Sequence, residues 1–425
     1  MPLGPPSRAA SGEESLLGES QSSRSAPQQV ARIAELRRVH HAFAWFRSHA
    51  RELEELQLQA TAIPAPPWGE AARSQWLMAR FAELSLAEVQ QDELGNVFGI
   101  LPGADANAPF IALSAHIDTV FPAGAAITVR RDAGKLYGPG ISDNGSGIVA
   151  LLALAGAMKA ASLLNRAPVL FIGNVGEEGE GDLRGMRHIF QQPRWSANIA
   201  SLVVLDGAGT DTIIAEGLGS RRYEITVRGH GGHSWSDFGV ANPIVALARV
   251  IDRFTRTPVP ATPKTTYNIG IISGGTSVNS IPESATMRVD TRSASVEELD
   301  RLEHALYDAV DAVIPELTGR KKQELLTAEV RMIGNRPAAD LPAESQLLKA
   351  IRAVDAQLSN TARIQRASTD ANIPLSLGRE AIAIGAGGAG GGAHTIHEWY
   401  DPVGRDLGLK RILLLTLALA GVAEE

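Results

Sequence analysis

Five short segments of this chain carry histidine or carboxylate side chains at positions where they can act together: Ala115-His116-Ile117-Asp118, Ser142-Asp143-Asn144, Gly176-Glu177-Glu178-Gly179, Leu205-Asp206-Gly207 and Ala393-His394-Thr395. Neutral imidazole and carboxylate are the donors that hard-to-borderline divalent cations take. A two-metal site needs a bridging carboxylate and about two terminal ligands per ion, with a further carboxylate to take a proton from water. The five segments hold enough donors for two ions and a base.

Taken singly, each segment has a plainer reading as well. His116 and Asp118 fit a ligand whose imidazole is oriented by a nearby carboxylate, or a loop pair bonded to its own backbone. Asp143 lies in the turn-rich run Gly138 to Gly147, where Asp or Asn is also a helix N-cap. Glu177 and Glu178 divide naturally into a base and a ligand beside a cation, or belong to a solvated acidic loop that continues through Glu180 and Asp182. Asp206 ends the apolar run Leu202 to Leu205, so its charge needs a metal or a helix terminus to compensate it. His394 follows the glycine-rich run Gly385 to Gly392, with His397 and Glu398 just beyond.

Other chemistries find no support. The glycine run has no Lys-Ser/Thr after it and no G-x-x-x-x-G-K pattern, so it reads as a flexible loop beside a site rather than a phosphate cradle. H-E-x-x-H and G-x-S-x-G are absent, which removes the single-zinc protease and serine-hydrolase readings that depend on them. The chain has no cysteine, so disulfides and thiolate ligands are excluded and only nitrogen and oxygen donors remain. A net charge of -7 leaves no basic footprint for nucleic acid. The most apolar stretch, Ile412 to Ala423, is too short to cross a bilayer and reads as a buried terminal helix, so no membrane partner is expected. The first 27 or so residues are polar and proline-rich with no apolar signal core, so a disordered tail and cytoplasmic residence are expected.

At 425 residues and 44% hydrophobic content, the chain is long enough for two domains. Gln28 to about Gln57 has a helical period, which Pro64, Pro66 and Pro67 then stop. Four short apolar runs read as buried strands: Phe110 to Leu113, Val169 to Ile172, Leu202 to Leu205 and Ala381 to Ile384. A helical pattern over Ser146 to Leu164 falls among them, so an α/β sheet covered by helices on both faces is expected. Ligands in such sheets gather at the carboxyl ends of the strands, where four of the five segments fall. Between Gly217 and about Asn335 the order changes. Strand Tyr223 to Val227, helix Pro243 to Phe254, strands Thr266 to Ile272 and Ala285 to Asp290, helix Val296 to Val313 and strand Ala328 to Ile333 form a β-α-β-β-α-β unit of ferredoxin-like order. The expected organisation is therefore a catalytic domain in two parts, 28–217 and 335–425, with an inserted α+β domain at 218–334.

The five segments, with Arg228-Gly229-His230-Gly231-Gly232-His233-Ser234 and His394-Thr395-Ile396-His397-Glu398, make the chain similar to the dinuclear zinc hydrolases typified by peptidase T, carboxypeptidase G, aminoacylase and acetylornithine deacetylase. The resemblance covers nearly everything after the tail. It implies His116 and Asp206 on one metal, Glu178 and His394 on the other, and Asp143 bridging, with the Asp143-Asn144 peptide cis. It makes Glu177 the general base and Asp118 the residue that orients His116. In the family pattern the ligand stands four residues before a Glu, here Glu398, which selects His394 over His397. The inserted domain is implied to be a lid and a homodimer interface, with His233 reaching a partner's site to stabilise an oxyanion. Asn279 and Arg288 match substrate-contacting positions on the lid. The expected cofactors are two divalent metal ions, zinc or alternatively cobalt or manganese. The expected activity is hydrolysis of the amide bond of a small peptide or, by the same chemistry, of an N-acyl amino acid.

Overall fold

A computed structural model describes residues 25–318 and 325–423. The expected tail lies outside the described residues up to position 24. From there the helix Ala26–Glu35 begins, its N-terminus closed by a capping box between Ser25 and Gln28. The helical period read over Gln28 to Gln57 is three helices, Ala26–Glu35, Arg37–Ser48 and Ala50–Ala62. The breaks at Leu36 and His49 are single residues. Spacing does not register them, because Val30, Ile33, Val39, Phe46 and Leu53 on all three helices pack into the same apolar core.

That core surrounds a nine-stranded mixed sheet. Its centre is four neighbouring parallel strands, Val169–Asn174, Phe110–His116, Ile199–Leu205 and Glu380–Ile384. These are the four apolar runs of the sequence. They are almost entirely buried, as strands covered on both faces must be, and they lack the alternation of a half-exposed sheet. Antiparallel strands close both sides: Val97–Leu101 and Ala87–Gln91 at one, Thr212–Gly217 at the other.

The helix Gly145–Ala160 runs through the core and is buried nearly all round, which is why it lacks an amphipathic pattern. Asn144 is its N-cap, accepting from the Gly147 N–H at 3.1 Å. The same side chain donates to Leu205 O at 2.8 Å and accepts from Gly207 N–H at 3.1 Å. One amide thus ties the Asp143 turn to the Asp206 turn. The C-terminal helix Arg405–Ala420 buries Ile412 to Leu415 against the same core. Among the described residues no helix is long and apolar enough to cross a membrane.

Between the two parts of this sheet the chain builds a second one, with its own apolar cluster. The strand order is Thr265–Gly274, Ser284–Ser293, Gly219–Arg228, Thr327–Arg336, with every neighbour antiparallel. The helices Pro243–Phe254 and Val296–Leu317 cover it through Leu247, Phe254, Leu302 and Leu306. Burial alternates along Ser284–Ser293, so one face is packed and the other faces outward.

The glycine run differs from the flexible loop expected of it. Ala389–Gly391 is a short strand paired with Trp399–Asp401, which pairs in turn with Lys135–Tyr137. Glycine is required there by close approach: a Cβ on Gly390 would collide with the Ser142 hydroxyl, and one on Gly388 with the Tyr400 hydroxyl. This small sheet draws the segment before Asp143 toward the segment that holds His394.

Candidate metal centre

His116 is the last residue of its strand, Glu177 and Asp206 lie beyond the carboxyl ends of the two strands beside it, and His394 follows the short strand Ala389–Gly391 beyond the fourth parallel strand. Asp143 enters from the turn before the buried helix. Its Oδ1 lies 3.0 Å from His116 Nε2, and its Oδ2 lies 3.1 Å from His394 Nε2. Asp206 Oδ1 is 3.8 Å from His116 Nε2, and Glu178 Oε1 is 3.0 Å from His394 Nε2. Two triads result, His116–Asp143–Asp206 and Asp143–Glu178–His394, each with its ligating atoms within 4.8 Å of one another. They share one carboxylate and use nitrogen and oxygen donors alone. That donor set fits two divalent cations bridged by Asp143. The Asp143-Asn144 peptide is cis.

Asp118 faces His116 through both its main chain and its carboxylate. His116 Nδ1 lies 3.1 Å from the Asp118 main-chain carbonyl and 3.6 Å from its carboxylate. The carbonyl can only accept, so a neutral His116 carries its proton on Nδ1 and can offer the Nε2 lone pair to a cation in the cluster. The Asp118 carboxylate also accepts from the N–H groups of Glu177 and Glu178, at 3.0 and 2.8 Å. It holds the two glutamates in place from beneath.

Glu177 and Glu178 are both buried, which argues against a solvated acidic loop. Burial pushes the Glu178 carboxyl up to about 7, despite the imidazoles facing it. Burial likewise raises Glu177 well above the usual carboxylate range, with Arg336 and His116 opposing. His394 is raised to about 9, chiefly by its hydrogen bond to Asp143. A ligand imidazole must be neutral, so a cation entering the cluster displaces these protons. Zinc affinity should therefore rise with pH up to about 9, with proton release that calorimetry in buffers of different ionisation enthalpy will detect. The sign for stability is opposite without metal: the contribution of His394 is full below 6.5 and is lost as pH rises through about 9.

His233, Asn279 and Arg288 are not brought to this cluster within the chain. His233 is exposed, and its Nδ1 accepts from the N–H groups of Trp235 and Ser236 at 3.2 and 3.4 Å. Asn279 is exposed on the neighbouring turn, where its carbonyl accepts from Ser234 N–H at 3.0 Å. Arg288 is paired within the chain. Its guanidinium is already engaged by Glu224 and Glu180, each at 2.9 Å, because the acidic loop after Glu178 reaches the sheet that carries it.

Three buried polar residues around the cluster were not singled out by the sequence. Glu398, which served only as a spacing marker, accepts from the N–H groups of Gly140, Ser142 and Asp143 at 2.8, 2.7 and 2.8 Å. It fixes the turn that presents Asp143. Glu398→Gln should weaken metal binding about 10–100-fold, measured by competition with a chromogenic chelator. Asp370 is fully buried, receives Asn174 Nδ2 at 2.6 Å, and is raised to about 7 by burial. Arg336 is buried against Glu177, 3.0 Å from its Oε1. The Asn335-Arg336-Pro337 sequence offers no spacing signal for that contact.

The fold and the paired triads together define an α/β protein with a candidate dinuclear metal centre at the carboxyl edge of a parallel-centred sheet, interrupted by a ferredoxin-like unit. The profile of peptidase family M20/M25/M40 matches residues 112–419, and the chain belongs to that family. A probable carboxypeptidase of Aspergillus oryzae is 29% identical over 253 residues, 54% of this chain and 57% of that protein. The chain thus spans about half the length of the curated relatives it matches. Among solved structures, a tripeptidase from Staphylococcus aureus superposes with a TM-score of 0.71 at 20% identity, covering 87% of this chain and 98% of that one. A dinuclear metal binding peptidase of the M20 family from Bacillus subtilis gives 0.64 at 15% identity, covering 89% of this chain and 100% of that one. At these identities the structural likeness speaks for the fold.

Proposed function

We propose that the protein is a dinuclear zinc hydrolase that cleaves the amide bond of small peptides. The observation that carries this reading is the pair of triads sharing Asp143, with the buried Glu177 carboxylate beside them. Family membership, and relatives named carboxypeptidase and tripeptidase, support it. Two divalent ions held by these residues would supply Lewis-acid polarisation of the scissile carbonyl and a lowered pKa for water.

The chain's own residues do the rest. Glu177 takes the proton of the attacking water and later delivers it to the leaving amine. Asp118 keeps Glu177 and Glu178 in register through their backbone N–H groups. His233 of a second copy donates to the developing oxyanion, with Asn279 beside it on the neighbouring turn. A substrate carboxylate would compete with Glu180 for Arg288.

The unit 218–334 serves as lid and homodimer interface in this reading. Exposed apolar residues support it: Ile271 and Ile272 on the outer strand Thr265–Gly274, and Ile244 and Val245 on the adjacent helix.

A panel of dipeptides, tripeptides and N-acyl amino acids, assayed with two equivalents of zinc, tests the reading. Cleavage of free peptides is expected. Turnover of N-acyl amino acids alone would make the protein a deacylase of the same mechanism. Two bound metals with no turnover would make it a non-catalytic metal-binding protein.

A further inference from the structure

The turn between His116 and Asp118 is held by a buried cation that stands where local rules disfavour one. Arg73 lies in the first turn of the helix Ala71–Glu83, where a positive side chain opposes the helix dipole. It is 1% exposed, and among the described residues its guanidinium makes no hydrogen bond to a carboxylate. Glu70, at the start of the same helix, is taken by Arg184 at 2.6 Å instead. Burial lowers the Arg73 pKa to about 10, against the attraction of Asp118. A buried charge without a bonded counter-ion at a helix start is destabilising, so what the side chain holds must offset that cost.

Its donors reach two segments. Nε and Nη2 both donate to Ile63 O, the former at 3.1 Å, and Nη2 lies 3.5 Å from Thr61 O. Nη1 donates to Ile117 O at 2.9 Å. Ile117 separates His116 from Asp118, and its own N–H donates to Asn174 O at 2.8 Å. Asn174 ends the strand that leads into the Glu177 segment. Thr119 N–H donates to Ala65 O at 2.9 Å, just past the carbonyls that Arg73 gathers. The peptide groups on both sides of Ile117 are thus fixed. They set the Asp118 carbonyl against His116 Nδ1 and the Asp118 carboxylate under the N–H groups of Glu177 and Glu178.

We infer that Arg73 is a positioning residue of the metal centre, its fork clamping the His116–Asp118 turn to the Thr61–Ile63 segment so that ligand, orienting carbonyl and supporting carboxylate keep one geometry. The inference rests on the reading of the two triads as a metal site. An arginine that served the fold alone would need only the bonds to Thr61 and Ile63, whereas this one also reaches into the ligand segment at Ile117. Arg411 supplies the contrast: it is equally buried, but it pairs with Asp355 between two helices that carry no ligand.

Zinc affinity, measured by competition with a chromogenic chelator, tests this without reference to a substrate. The variants are Arg73→Gln, Arg73→Lys and, as a buried-arginine control, Arg411→Lys. Arg73→Gln is expected to weaken affinity about 100-fold and Arg73→Lys about tenfold, the scale set by groups that orient metal ligands, because an ammonium keeps the charge but not the fork. On a cleaved dipeptide at saturating zinc, kcat should fall about tenfold in both, with KM within about threefold. Arg411→Lys should lower the melting temperature and leave zinc affinity and kcat unchanged. Wild-type affinity in both Arg73 variants, with only the melting temperature lowered as in the control, would overturn the inference. If Arg73→Gln does not fold, Arg73→Lys with a native circular-dichroism spectrum decides by the same measurement, and loss of the fold there too would make Arg73 a residue of the fold alone. Wild-type protein that binds no zinc sinks the functional reading, whereas wild-type binding matched by both variants sinks this inference alone.

Discussion

Glu177→Gln should lower kcat by about 10²–10⁴-fold while both metals stay bound. The substitution is isosteric and keeps an acceptor for Arg336, so the segment remains held by Asp118 from below and Arg336 from the side. What disappears is basicity. Burial raises this carboxyl, and the neighbouring Glu178 and Asp370 charges raise it further, against Arg336 and His116. A carboxyl raised above the ordinary carboxylate range is, when ionised, a stronger base. Glu177 lies outside both triads that share Asp143, although its carboxylate is within 4.8 Å of ligating atoms of His116 and Glu178. Metal analysis therefore decides between two roles. Two metals with no turnover identify a base, and loss of one metal moves Glu177 into the ligand set.

Asp143→Ala should lower bound metal from two to at most one per chain and reduce turnover by about 10³-fold or more. Asp143 is the only residue common to the two triads, and its oxygens face His116 and His394 separately. Without it each triad keeps two donors, too few to compete with water for a divalent cation. Lewis-acid stabilisation of the reaction is worth several kcal/mol, which converts to the predicted factor. The fold should survive, since Asn144 still caps the buried helix and Glu398 still holds the turn through Gly140 and Ser142. Burial opposes the charge on Asp143, and the two imidazoles overcome it, holding its carboxyl below the usual range. Circular dichroism of the variant beside its metal content checks that the loss is local.

Much of this arrangement could be read from the chain because short-range pattern and long-range topology agree in it. Buried parallel strands are continuous apolar runs, so Val169–Asn174 and Ile199–Leu205 announce themselves, and the polar residue that ends each run falls at the sheet edge where ligands collect. The β-α-β-β-α-β order likewise fixes the antiparallel sheet, with strand ends one to four residues further out than the apolar cores of the runs. Residues that act through tertiary contact left no such trace. Arg336 reaches Glu177 across 159 positions, and Glu398 reaches Ser142 across 256. Neither separation has a period to detect. The glycine run looked slack because composition reports conformational freedom, whereas here the absent side chains let Ala389–Gly391 lie against Ser142 and Trp399. Arg288 carried the right side chain for a substrate carboxylate, but the sequence did not disclose that Glu180 and Glu224 already hold it.

Peptide hydrolysis by this protein requires that the triads sharing Asp143 hold two cations and that Glu177 serve as base. Stripping the protein with a chelator and titrating zinc back while following cleavage of a dipeptide tests it most directly. Turnover that returns and saturates at two equivalents per chain is the predicted result, and saturation at one equivalent, or turnover indifferent to zinc, would contradict it.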